Sequence, residues 1–121
     1  MEILTHYIEA TNTHDFNLVE ELIHPEAVYV FGGKRYQGHE EIRGYFENSW
    51  GSLQDEIYGA EGITWLNVTE TSAVCLYTYT FEGYANGTFI NGTGNATNVF
   101  AKDNNQWKLI HEHLSRIEVT K

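Results

Sequence analysis

Apolar residues recur at helical spacing in the first half of the sequence and alternate in the second half, and this change of period limits the fold more than any other feature. Leu4, Ile8 and Thr11 follow i, i+4, i+7 spacing, and Ile3 with Tyr7 widens the stripe. Asn12-Thr13-His14-Asp15 offers a break with capping side chains. Phe16, Val19, Leu22 and Ile23 form a second stripe, which Pro25 is expected to stop. A short strand is predicted over Ala27 to Phe31, a turn at Gly32-Gly33, and a third helix from about His39 to Trp50. That helix has Glu40 and Glu41 in its first turn, where the dipole favours acid, and Ile42, Tyr45, Phe46 and Trp50 on one face. The remainder reads as strands. Ile57-Tyr58 and Ile63 to Val68 are expected to form one bent strand, followed by Ser72 to Tyr84, Asn95 to Lys102 and Trp107 to Val119. Helices first and then a meander define an α+β domain, not a parallel α/β fold. A single domain spanning 1-121 is expected, with no linker or repeat.

The last hairpin sets out which residues should share a face. Asn104-Asn105 suits a two-residue type I′ turn, in which both residues need positive φ. With that loop, Lys102 should pair with Trp107, Phe100 with Leu109, Asn98 with His111 and Ala96 with His113. Phe100, Leu109, Asn98, His111 and His113 would then share one face, opposite Val99, Thr97, Ile110, Glu112 and Leu114. In the Ser72 to Tyr84 strand, Cys75, Tyr77, Tyr79 and Phe81 alternate with Val74, Leu76, Thr78 and Thr80. Neither face is polar throughout. A sheet with two occupied faces predicts self-association, here through the face assigned to Tyr77, Tyr79, Val99 and Ile110. The simpler alternative is that tyrosines merely cover an exposed sheet.

Composition narrows the partners. The 17 acidic and 7 basic residues give a net charge of −10, which argues against nucleic acid and against an anionic membrane surface. No apolar run is long enough to span a membrane, and the N-terminus lacks a basic region followed by an apolar one, so a cytoplasmic protein is expected. The sequons at Asn67, Asn86, Asn91 and Asn95 then read as accidents of a chain rich in turn residues. Cys75 is the only cysteine and reads as a small buried hydrophobe.

Gly38, Ile42, Tyr45-Phe46-Glu47-Asn48 and Trp50, with Trp107-Lys108-Leu109-Ile110-His111-Glu112-His113-Leu114-Ser115 far downstream, resemble a SnoaL-like domain of the nuclear transport factor 2 superfamily. Within that group the chain is most similar to the association domain of calcium/calmodulin-dependent protein kinase II, over about Ile3 to Ser115. The resemblance implies a cystatin-like α+β roll: a cone-shaped, curved, mixed or antiparallel sheet wrapped around three N-terminal helices, with a pocket between. It also implies a homodimer or larger ring built on the outer sheet face. The superfamily includes isomerases, dehydratases and assembly domains, so fold alone does not settle function.

By the same resemblance, Thr80 and Asn98 fall where the kinase association domain has pocket arginines, and Trp50 matches an aromatic at the rim. The implied binding set is Phe46, Trp50, Thr80, Asn98, Phe100, His111 and His113, suited to a small, mostly apolar or carboxylic ligand. A two-residue loop at Asn86-Gly87 or Asn91-Gly92 would instead put Asn98 with Tyr77 and Tyr79, whereas the resemblance implies that Thr80 and Asn98 share a face. The alternative reading is an enzyme of the isomerase or dehydratase kind. Phe31 stands where the resemblance places the isomerase carboxylate, which leaves His111 as general base with Asn98 orienting it. His111 and His113 stand roughly 6–7 Å apart along a strand, but no third metal ligand is evident, so neither metal nor other cofactor is expected.

Overall fold

The computed structural model describes residues 1–117. Helices α1 (Glu2–Asn12) and α2 (Phe16–Glu20) precede strands β1 (Ile23–Phe31) and β2 (Lys34–Gln37). Helix α3 (Gly38–Ser52) leads into β3 (Gln54–Leu66), β4 (Ser72–Ala85), β5 (Thr88–Asp103) and β6 (Gln106–Arg116). The strands form one curved, unclosed sheet of six in the order β2-β1-β6-β5-β4-β3. Only β1 and β6 pair in parallel, so the sheet is mixed. This is the α+β architecture the change of period requires. No helix among the described residues is long and apolar enough to cross a membrane.

Local chemistry accounts for most boundaries. Asp15 caps α2 by accepting the Asn17 backbone N–H at 3.0 Å. At the start of α3, Glu41 Oε1 accepts the Gln37 backbone N–H at 2.9 Å, which gives the acidic first turn a specific use. Asn104 and Asn105 have φ of 50° and 63°, the left-handed values a two-residue I′ turn demands. Asn86 and Gly87, at 51° and 79°, make the same turn between β4 and β5. Gly62 at φ 61° lies in an irregularity of β3, the bend expected between Tyr58 and Ile63.

Some boundaries differ. Helix α2 ends at Glu20, and Ile23 instead opens β1 opposite Leu109, where its side chain is fully buried. Pro25 therefore sits inside a strand, at the point where the β1–β6 register shifts. Strand β5 starts at Thr88, not Asn95, because the tight turn carries pairing directly into it. The expected end of the last strand at Val119 lies outside the described residues.

The larger correction concerns the last hairpin. Pairing follows expectation from Asp103↔Gln106 to Phe100↔Leu109, and then Val99 pairs with His111. Ile110 is the extra residue of a bulge. A one-residue slip moves every later side chain to the other face. Asn98 thus pairs with Glu112 and Ala96 with Leu114, while His111 and His113 turn outward. Across β4, Cys75 pairs with Asn98 and Val74 with Val99, so Tyr77 and Tyr79 lie inside and Val99 outside. The association face expected to carry Tyr77, Tyr79, Val99 and Ile110 is therefore split between the two sides.

The core fills the concave side. Ile3, Leu4 and Tyr7 of α1, Phe16 and Val19 of α2, and Ile42 and Phe46 of α3 pack against Tyr29, Cys75, Tyr77, Phe100 and Leu109.

Candidate functional site

Glu112 is the one buried carboxylate among the described residues, at 3% exposure. The bulge at Ile110 aims it inward, opposite Asn98 on β5 and beside Tyr29 on β1. Its Oε1 accepts from Asn98 Nδ2 at 3.0 Å and from Tyr7 Oη at 3.0 Å. Tyr7 Oη also lies 2.6 Å from Tyr29 Oη, so four strands and helices meet in one polar cluster inside an apolar core. Both bonds fall on Oε1, and Glu112 also lines the adjoining cavity. Burial pushes the Glu112 carboxyl from its ordinary 4.5 up to about 7, although the bonds from Asn98 and Tyr7 pull it back. Burial, and then the charge of Glu112, raise Tyr7 and Tyr29 well above the ordinary tyrosine value.

The cavity next to Glu112 has a volume of about 40 Å³. Tyr45, Phe46, Trp50 and Tyr58 supply its aromatic walls, and Glu56 and Ser49 its polar side. Tyr45 and Phe46 are neighbours on α3 with rings edge to face at 5.6 Å, and Phe46 leans on Trp50 at 5.3 Å. His14, at φ 61° in the break between α1 and α2, stacks on Trp50 with ring centroids 5.3 Å apart. Its Nε2–H donates to the Glu56 carbonyl at 2.8 Å, which ties the break to β3. Glu56 accepts from Ser49 Oγ at 3.3 Å, and burial raises its carboxyl above the ordinary value. Thr11 also lines the cavity; its Oγ1 is buried with no hydrogen-bond partner among the described residues.

The residues named from sequence are scattered. Phe46 and Trp50 line the cavity, and Asn98 reaches it through Glu112. Phe100 is fully buried on the same sheet face but packs against Trp65 at 5.8 Å. Thr80 lies on the outer face, pairing with Gly59 and Thr93, so it does not share a face with Asn98. The two-residue loop at Asn86-Gly87 decides this against the alignment. His111 is on the outer face, where its Nδ1–H donates to the Val28 carbonyl at 2.8 Å; His113 beside it is exposed. The Asn98–His111 pair expected for general-base work is not formed. The two histidine rings stand 6.5 Å apart, and among the described residues no group of three metal-ligating side chains converges. Phe31 faces inward against Tyr45, at 6.1 Å.

A SnoaL-like domain model matches residues 1–119. The chain belongs to the SnoaL-like family. No curated protein matches the sequence significantly. Solved structures share this SnoaL-like fold at low identity. A nuclear transport factor 2-like superfamily protein from Salmonella enterica serovar Typhimurium is 21% identical, with 99% of this chain and 89% of that one covered, at TM-score 0.87. The association domain of C. elegans calcium/calmodulin-dependent protein kinase II is 18% identical, with 94% and 90% covered, at TM-score 0.76. A protein from Streptomyces avermitilis assigned as a dehydratase of this superfamily is 19% identical, with 97% and 93% covered, at TM-score 0.83. The SnoaL-like fold is thus common to an association domain and to a protein assigned as an enzyme.

Proposed function

We propose that this SnoaL-like domain self-associates through its outer sheet face and binds a small molecule in the cavity beside Glu112. The observation that carries the binding half is the Glu112 carboxyl itself. A buried carboxyl costs folding free energy that an apolar residue of like volume would not. It stands at the wall of a cavity with one oxygen left over after its internal bonds. That is the arrangement of a polar anchor in an apolar pocket. The self-association half rests on the convex side, which none of the helices covers. One register row there reads Val28, His111, Val99, Val74, Leu66, and the next Val30, His113, Thr97, Leu76, Thr64. On β2 the rows continue to Gln37 and Arg35; apart from Arg35 and the two histidines they hold no ionisable group, and Leu66 and Leu76 are exposed at 44% and 38%.

A fragment screen against the purified protein tests the first half, read by the indole signals in protein NMR. Ligands that bind should move the Trp50 resonance, and Glu112→Leu, which keeps bulk but removes the anchor, should weaken them at least tenfold. Hits that are insensitive to Glu112→Leu would overturn the site.

A second reading, an acid–base enzyme, is favoured by one observation: Glu112, with its carboxyl held at about 7, is poised to give or take a proton near neutrality. In that reading Glu112 has the role expected of His111, and Tyr7 and Asn98 position it.

A further inference from the structure

Resting on the cavity reading above, we infer that its ligand is a small organic cation, an alkylamine bound as its ammonium group against Glu112 within the aromatic walls. Among the described residues no lysine or arginine lines the cavity, whereas two carboxylates, Glu112 and Glu56, do. A carboxylate ligand would meet like charge and no counter-ion. An ammonium group would meet the opposite charge in a dry setting, where such a pair is strongest. Tyr45, Phe46, Trp50 and Tyr58 present ring surfaces, whose negative faces attract a cation and whose bulk suits an alkyl chain.

The second, independent observation is Thr11. It is 7% exposed and lines this cavity, and its Oγ1 is buried with no partner among the described residues. A buried hydroxyl without a partner costs stability unless a ligand or water supplies one. An ammonium group carries three donors and needs several acceptors. Glu112 and Thr11 both line the cavity and carry acceptor oxygens of that kind. About 40 Å³ has room for roughly three water molecules, which corresponds to a head group with a short chain.

Such binding must depend on pH. The titratable groups that face Glu112 are Tyr7 from α1, Tyr29 from β1, Tyr45 from α3, Tyr58 from β3, and Cys75 and Tyr77 from β4. Burial raises every one of them, the Cys75 thiol up to about 12, so all stay neutral below pH 8. Burial raises Glu56 as well, and His14 stands against it. An ammonium ligand requires ionised Glu112. With that carboxyl at about 7, apparent affinity should fall by about tenfold from pH 8 to pH 6.

The test is isothermal titration of the full chain with n-propylamine, 1-propanol and propionate, at pH 8 and pH 6. Propylamine should bind at millimolar concentration or better, release protons to the buffer, weaken about tenfold at pH 6, and weaken at least tenfold in Glu112→Gln. Thermal unfolding confirms that the variant is folded, and Thr11→Val supplies a second variant, with an expected loss of about threefold. If 1-propanol or propionate binds as well as propylamine, or if Glu112→Gln leaves propylamine binding unchanged, the cation inference falls while the cavity remains a candidate for other ligands. If none of the three binds, both the cation inference and the cavity reading are overturned.

Discussion

Asn98 on β5 donates its side-chain amide to Glu112 Oε1 on β6 at 3.0 Å, and neither residue has meaningful contact with solvent. The pair exists because Ile110 is bulged out of register. Without the bulge Asn98 would face His111, and Glu112 would point to the convex side. A single inserted residue therefore decides whether the concave side carries histidines or a carboxyl.

The same burial gives a pH-dependent stability with a definite sign. The Glu112 carboxyl is near 4.5 in the unfolded chain and about 7 in the folded one, so folding favours its neutral form. Its contribution is fully present below pH 4.5 and is lost as pH rises through 7. The interval between 4.5 and 7 corresponds to about 3 kcal/mol. Glu112→Gln should therefore be more stable than the wild type at pH 8, by up to about 3 kcal/mol, and should match it at pH 4. Urea unfolding at the two pH values checks this; an equal difference at both would sink the assignment of Glu112 as the buried acid.

Tyr7 holds the cluster together from the helix side. Its hydroxyl serves both Tyr29, at 2.6 Å, and Glu112, at 3.0 Å. Tyr7→Phe keeps the ring and removes both bonds, at an expected cost of about 1–3 kcal/mol. A bond to the ionised carboxylate lowers its pKa, so its loss should carry Glu112 above 7. NMR titration of the Glu112 side chain reads that direction, and a downward move would contradict the hydrogen-bond assignment.

Much of this was legible in the sequence, and the main failure lies in pairing that is not local. Helical stripes, the turn at Asn104-Asn105 and the bent strand around Gly62 are local, and each carries its own chemistry. Face assignment beyond Phe100 is not local, since it depends on whether Leu109-Ile110 is a regular step or a bulge. Both residues are apolar and fit either register. The one available signal was Glu112 itself, a carboxylate between Ile110 and Leu114 in a strand otherwise rich in apolar side chains. Tyr7, Thr11 and Tyr58 read only as core or strand residues, because the cavity joins parts of the chain that are far apart in sequence. Thr80 was misplaced by following an alignment over the parity of a two-residue turn.

Asn12 should prove a structural hinge pin for the cavity. Its Nδ2 donates to the Tyr58 carbonyl at 2.9 Å and its Oδ1 accepts the Tyr58 N–H at 2.8 Å, so one side chain pairs with an edge strand as another strand would. This pins the end of α1 to β3 beside the cavity wall. Asn12→Ala should destabilise by about 1–2 kcal/mol, and Asn12→Asp by a similar amount, because it keeps the acceptor but places a second acceptor against the carbonyl. Hydrogen exchange at the Tyr58 amide should accelerate in Asn12→Ala, which loses the acceptor for that N–H; unchanged exchange in it would mean that the pairing does not hold in solution.

The convex face makes the final prediction. A two-fold interface brings a patch against its own copy, so a charge added at its centre is added twice and is buried against itself. Val99 is at the middle of the row Val28, His111, Val99, Val74, Leu66, with two strands on either side. The neighbouring rows carry Arg35 and Lys108 and no acidic residue, so an introduced ammonium finds no acidic partner beside it. Val99→Lys should therefore convert the assembly to monomer, at a cost of several kcal/mol per buried pair of cations. Because Val99 points away from the core, the variant's thermal unfolding as a monomer should stay cooperative. Glu9→Lys on the exposed side of α1 also adds positive charge, but away from the sheet, and should leave the assembly intact. Multi-angle light scattering at micromolar protein distinguishes the outcomes. A wild type that already elutes as a monomer removes the self-association half of the proposed function, and a Val99→Lys assembly of unchanged size moves the interface to another surface.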